Sequence, residues 1–392
     1  MPARITDARG RSLGIVSDRS STAFELGEVG EIVAWAAARG IPRVVLPAGR
    51  FEGDEPITWS GTSGITIEGA NDADFPGVEA DVGQTRIIQT DPTQPAIVLD
   101  GIRGVTLKGL DIEGQGVDAN TIGAAGSALV TQEWVPAGVT RDHSGVVVKG
   151  GSSFPRVVGC SVRKFYYPID IGPTGTSNDA EGIVRDCHLS GGLAGVTMGH
   201  TQTKAWTFDN VHMIGLRDGF VSHDINADWG ADVNIIGGSM HFVHRAFDVA
   251  LRSQGINCTG MFFESVNALG IFGQGANTGM CSADFTGISF NGWETDAEDI
   301  ANHLAAWGNV NFHGGTLIWH RNPSTGSRMR IGTNNRAAVN FFGTSFSDER
   351  KTGSADAPPV DNSALGAVGE VNYFKVNYRD QDSATGRTIY SS

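Results

Sequence analysis

The sequence is poor in charge, in cysteine and in long apolar runs, and each shortage removes a class of protein. Charged side chains make up only 18% of its 392 residues, and acidic ones outnumber basic ones 43 to 29, for a formal net charge of −14. A surface of that sign repels phosphate backbones and anionic lipid, so neither nucleic acid nor membrane insertion is expected. Four cysteines, Cys160, Cys187, Cys258 and Cys281, are too few in so long a chain for a disulfide framework, and their spacing suits no zinc site. No apolar stretch reaches the roughly 18 residues a membrane helix needs, and the opening MPARITDARGRSLGIVSDRSS lacks the apolar core of a secretory signal. A Walker loop, an HExxH helix and a nucleophile elbow are all missing, so no cofactor or metal is expected.

What the chain has in quantity is glycine, 54 residues without a three-residue period, which points to many tight turns. No Pro/Ser-rich or charged linker divides it, which favours one elongated unit. A six-residue window, apolar-x-Gly/Asn/Asp-apolar-x-apolar, recurs as LKGLDI from Leu107, VVGCSV from Val157, VRDCHL from Val184, FDNVHM from Phe208 and FTGISF from Phe285. CTGMFF from Cys258 and a looser FFGTSF from Phe341 fit as well, while the windows from Ile235 and Phe312 carry one extra residue. From Val157 onward the windows start about 22 to 29 residues apart. Each reads as two short strands around one residue that tolerates positive φ. Alternation sends Val184, Cys187 and Leu189 inward and Arg185 and His188 outward. A further apolar pair follows each window, so the repeat has three strands. Such a coil cannot bury its own apolar face, but stacked coils share one core. The fold class predicted is all-β, a right-handed parallel β-helix of about nine or ten coils.

Upstream, Glu28 to Gly40 reads as a short helix with Ile32, Val33, Trp35 and Ala36 on its apolar side, covering the end of the core. The first strands follow in RVVLPAGRF, PITW and GITIEGA. Between the windows at 107 and 157 about one coil is skipped, and residues 114–144 form a long excursion there. The expected division is an N-terminal segment 1–27 suited to particle attachment, a β-helix over 28–346 with its cap helix at 28–40, and a polar tail 347–392. That tail suits trimerisation or a cover over the last coil. Cys160 and Cys187 fill the same inward slot and are expected as small apolar core side chains rather than a disulfide.

The helix followed by PRVVLPAGRF, PITW and GITIEG, with the coils after it, resembles the pectin-lyase-like β-helix superfamily, and within it the phage tailspikes and tail fibres. The resemblance covers roughly residues 28 to 346. It implies a virion protein acting outside the cell, bound to other tail proteins, assembled as a homotrimer and recognising a host surface polysaccharide. It does not choose an activity, because one fold hosts many. The polygalacturonase NTD, DD and HG series, the pectate lyase RxPxxR and an epimerase DPHE stretch are absent.

In relatives of this fold carbohydrate lies along the outside of one sheet, which directs attention to the outward positions of the third strands. These are Asp170, Thr197, Val221, His223, Asp248, Arg252 and Gly270, with His200 and Asp224 where the strands turn off. Asp224 and Asp248 fall on adjacent coils, and two carboxylates at that separation are what glycoside hydrolysis uses. They are the candidate catalytic pair. Asp170, His200, His223, Arg252 and Trp229 are the candidate substrate-binding residues. A solvated strand face is the competing account. A second outward column holds His188 and His212, near Arg163, Arg185, Asp209 and Glu264, and reads either as an acid–base or metal pair or as a polar ladder. The functional reading is a tailspike-like virion protein that binds a surface polysaccharide, with depolymerisation by the carboxylates as its catalytic form. The alternatives are a non-enzymatic adhesive or structural fibre and a cellular polysaccharide lyase or hydrolase.

Overall fold

A computed structural model describes residues 4–6, 12–15, 23–70, 84–119, 134–173, 178–199, 203–222, 232–249, 254–272, 282–293, 304–306, 308–320, 329–333, 337–349, 360–361, 370–380 and 388–391. Among them the chain is a right-handed β-solenoid with one helix, as its repeat predicts. One sheet has 14 strands, of which the two at its N-terminal end, Arg4–Thr6 and Ser12–Ile15, join antiparallel and the rest pair in parallel. A second sheet of 21 strands carries the remaining two sides of every coil.

The window residues define the register. Leu107, Val157, Val184, Phe208, Ile235, Cys258, Phe285, Phe312 and Phe341 lie directly opposite one another on successive coils. All nine are buried. Toward the C-terminal end this column becomes an aromatic stack, with ring centroids 5.1 Å apart for Phe285 and Phe312, 4.8 Å for Phe312 and Phe341, and 5.4 Å for Phe341 and Tyr373. The strand spacing of about 4.8 Å is also a good stacking distance for aromatic rings, so one repeat serves both.

From the Leu107 window onward, the corner residue after each first strand is left-handed, as the window requires. Gly109, Gly159, Asp186, Asn210, Gly237, Gly260, Gly287, Gly314 and Gly343 all have φ between 52° and 67°. At the two positions that are not glycine, Asn210 Nδ2 donates to Asp186 Oδ1 at 2.9 Å, binding one corner to the next. A second left-handed residue is less visible in the sequence. In the central coils the second and third strands run together as His188–Met198, His212–Ser222, Ser239–Val249 and Phe262–Phe272, each bending at Gly191, Gly215, Phe242 or Ser265.

The helix spans Leu26–Ala38. Val29, Ile32, Val33 and Ala36, at i, i+3, i+4 and i+7, are buried against Phe51, Ile57 and Trp59. Trp35, expected on that face, is 40% exposed, and the Arg39 guanidinium lies 4.3 Å from its ring centroid. The 107 and 157 windows pair directly, so no coil is skipped; residues 114–143 are an insertion between the strands Asp111–Glu113 and Ser144–Lys149 of one coil. The stack also runs past both expected boundaries. Ala23–Glu25 pairs in parallel with Arg50–Glu52, while Glu370–Phe374 and Val376–Asp380 continue the two sheets. Cys160, Cys187 and Cys258 are free and buried. No helix among the described residues is long and apolar enough to cross a membrane.

Two substitutions check this construction by chemical denaturation followed through tryptophan fluorescence. Phe312→Ala removes the middle of the aromatic stack and is expected to cost about 3–5 kcal/mol. Asp186→Val forces a β-branched residue into the left-handed corner and is expected to cost about 1–2 kcal/mol.

Candidate functional site

Parallel pairing fixes which third-strand side chains share the outer wall. The column runs Val98, Val147, Asp170, Thr197, Val221, Asp248, Ile271. Gly270, counted in it from the sequence, instead pairs with Phe247, and a Cβ there would strike the Phe247 carbonyl oxygen. The shift of one residue at this coil moves Gly270 off the outward face. Asp170 does belong to the column but is only 4% exposed; Thr197 Oγ1 donates to its Oδ1 at 2.8 Å and Ser144 Oγ approaches Oδ2 at 3.5 Å. Its carboxylate ties three coils together. Asp248 is the acid that reaches the surface. Asp224, His200, His223, Arg252 and Trp229 lie outside the described residues.

The partner of Asp248 in the structure is Arg245, three residues earlier on the same bent strand, whose Nη2 is 2.6 Å from Asp248 Oδ2. Arg245 Nε also donates to Asp218 Oδ1 at 2.8 Å, from the coil before, and Arg217 Nε lies 3.4 Å from Asp218 Oδ2. Two carboxylates therefore share one guanidinium. Burial holds Asp248 above the ordinary carboxylate range; Arg245 pulls the other way, and the nearby Asp218 charge adds to the rise. Asp218 is itself buried. The arrangement is a carboxyl shifted upward by burial beside a fixed charge pair, and upward is the direction of shift that general acid catalysis needs. Asp218 and Arg245 escape the sequence reading. The signal that would find them is the alignment of the windows at Phe208 and Ile235, which places the two residues opposite each other.

The second-strand column holds a larger charged group and the histidines. Asp111 accepts from Arg86 Nε at 2.7 Å and from Arg163 Nε and Nη2 at 3.2 Å; Glu113 accepts from Arg163 Nη2 and Lys164 Nζ at 2.8 Å. Beyond it, His188 and His212 sit directly opposite each other. Burial, then the neighbouring His212 and Arg163, push His188 down to about 4, and its buried Nδ1 has no hydrogen-bond partner among the described residues. His212 Nδ1 lies 2.8 Å from Ser239 Oγ. No group of three or more His, Cys, Asp or Glu among the described residues is placed to hold a metal ion. Near the acidic cluster, burial followed by Arg245 and Arg217 also lowers His244 to about 4.

No family model and no curated protein matches the chain. Solved structures do, and they establish the class as right-handed parallel β-helix. The crystal structure of the Agl-KA catalytic domain superimposes with a TM-score of 0.56 at 12% identity, over 93% of this chain and 70% of that one. The DFA-IIIase from Arthrobacter chlorophenolicus A6 gives 0.58 at 10% identity, over 90% and 95% of the two chains. The gp42 tailspike of Acinetobacter phage vb_AbaP_AS12 covers 99% of this chain and 67% of its own at 10% identity, but its TM-score of 0.45 is too loose to argue from. At these identities the likeness is one of fold.

The two depressed histidines make a pH prediction with a definite sign. Each is near 4 folded and near 6.5 unfolded, so between those values the unfolded chain binds more protons and acid favours unfolding. Stability present above pH 6.5 is expected to fall as pH drops toward 4. The fall in denaturation midpoint across that window should be shallower in the double variant His188→Gln, His244→Gln.

Proposed function

We propose that the chain binds a surface polysaccharide lengthwise along the outer wall formed by its third strands, and that it cuts the polymer by glycoside hydrolysis. The observation that carries this reading is Asp248, a surface-reaching carboxyl whose pKa burial raises from its ordinary value, beside the Asp218–Arg245 pair. A general acid for glycosidic oxygen must keep its proton near neutral pH, and an ionised carboxylate must be available opposite it. Asp248 is assigned the first role. Asp224 remains the proposed base or nucleophile, and His200, His223, Arg252 and Trp229 the proposed substrate-binding residues, whereas Asp170 is closed off by Thr197 and Ser144. The net charge of −14 favours a neutral glycan over a polyuronate.

In this proposal the chain is the glycan-binding rod of a virion tail spike or fibre, acting outside the cell as a homotrimer alongside other tail proteins. A covalently continuous stack of parallel coils makes a stiff rod, which suits that mechanical role. At its C-terminal end His313, Phe342 and Phe374 form a second, outward aromatic stack with centroids 5.0 and 4.8 Å apart. Such an exposed apolar strip is suited to burial between copies.

The decisive experiment incubates the protein with a panel of bacterial surface polysaccharides and follows chain length by size exclusion. Shortening of one polymer is expected, with kcat falling by about 10²–10⁴ in Asp248→Asn while binding persists. Binding without shortening would leave an adhesive fibre, and no binding at all would end the proposal. Light scattering at micromolar concentration is expected to give three times the 41.3 kDa chain mass. A monomer would remove the trimer.

A further inference from the structure

One group on the outer wall joins a hydroxyl, an imidazole and a carboxylate in series. Some polar ladders link like residues along the stack, as where Asn340 Nδ2 donates to Asn311 Oδ1 at 2.8 Å and Asn372 Nδ2 to Asn340 Oδ1 at 2.9 Å. On the coil at 239 the bonds run along the strand as well as across it. Ser239 Oγ lies 2.9 Å from His241 Nε2, and His241 Nδ1 lies 2.9 Å from Glu264 Oε2. Ser239 and His241 are two apart on one strand and so share a face, while register sets Glu264 opposite His241 and His212 opposite Ser239.

We propose that Ser239, His241 and Glu264 form a nucleophile, base and orienting carboxylate that hydrolyse short acyl esters of the kind carried on sugar hydroxyls. The hydrogen bonds dictate the tautomers. Glu264 accepts the Nδ1 proton of His241, which leaves the Nε2 lone pair facing the Ser239 hydroxyl. That hydroxyl has one proton and gives it to His241, so the 2.8 Å contact with His212 Nδ1 is a donation from His212. His212 thereby supplies an N–H beside the nucleophile, where oxyanion charge would develop. Backbone donors are taken: Ser239 N donates to Val211 O at 3.1 Å and Phe262 N to Gly238 O at 3.2 Å. A neutral imidazole can fill that electrophilic role.

Phe262 occupies the Ser239 position on the next coil, is 39% exposed, and stands edge-on to His241 with centroids 5.8 Å apart. It offers an apolar wall for the alkyl part of the acyl group. Ser239 is only 6% exposed, which limits that group to a small one. In the reaction Ser239 Oγ bonds to the ester carbonyl carbon as its proton passes to His241 Nε2. The carbon–oxygen bond to the alcohol then breaks, and that proton leaves on the alcohol oxygen. Water attacks the acyl-serine, returns a proton through His241 to Ser239 Oγ, and releases the acid. The choice of a sugar-borne ester rests on the polysaccharide reading above; the ester chemistry does not.

The test treats the wild-type chain with a fluorophosphonate probe and measures p-nitrophenyl acetate turnover. One adduct per chain on Ser239 by mass spectrometry is expected, absent in Ser239→Ala, with turnover in that variant lower by at least about 10³-fold. Glu264→Gln lies on the exposed rim and should keep the wild-type circular dichroism melt. It should lower kcat by about 10²–10⁴ with KM unchanged, as a positioning residue would. An unlabelled Ser239, or a Ser239→Ala variant that retains turnover, overturns the proposal. Turnover of the small ester without acetate release from any O-acetylated polysaccharide overturns the sugar-ester assignment and leaves the depolymerisation assay to be judged separately.

Discussion

The left-handed corner residue is the constraint on which the rest of the molecule depends. From Leu107 onward one residue at φ near +60° turns the chain after each first strand, and because it falls at the same place in those coils the strands beyond it meet their neighbours in one register. Register then decides which side chains are core and which are wall, since a slip of one residue would exchange the two sets. The core follows from this in simple form. An apolar residue at the first window position meets an apolar residue above and below, and where that residue is Phe the rings stack.

The same constraint builds chemistry on the wall without any loop to carry it. Side chains opposite each other on adjacent strands are within hydrogen-bonding reach, so each coil adds one more member to a polar column. Most columns use this only to neutralise themselves. Arg86, Asp111, Glu113, Arg163 and Lys164 exchange bonds with one another, and Lys164 Nζ also lies 3.3 Å from Asp118 Oδ2. Arg43, Glu68 and Lys108 do the same on the first sheet. Departures from self-neutralisation are therefore informative. Burial raises the pKa of Asp248 despite a guanidinium in contact, and the Ser239 group ends in a hydroxyl rather than a counter-charge.

Fold legibility in the sequence was high because the window encodes the corner itself. Asp186 and Asn210 could be set apart from face residues by type and position alone, and both prove left-handed. The second corner was not legible, since its residues, Gly191, Gly215, Phe242 and Ser265, share no chemistry and follow no consensus. That gap propagates to the site. Without the bend, the third strand cannot be phased at every coil, so the sequence pattern sets Gly270 outward and does not single out Asp218 and Arg245. Asp170 shows a different limit: its position was right, but only contacts with Thr197 and Ser144 reveal that its carboxylate is closed off.

Both active-looking groups ride on the single strand Ser239–Val249, and the bend at Phe242 separates them. Ser239 and His241 precede it, and Arg245 and Asp248 follow it, so the chain direction changes between the two. A substrate atom held against Ser239 Oγ is thus addressed by groups from one side of the corner, and one held against Asp248 by groups from the other. Their chemistry differs accordingly. An ester carbonyl calls for a nucleophile with an ordered base, whereas a glycosidic oxygen calls for an acid that keeps its proton. In the proposed reading, a backbone that turns at fixed intervals presents the two groups on either side of one corner.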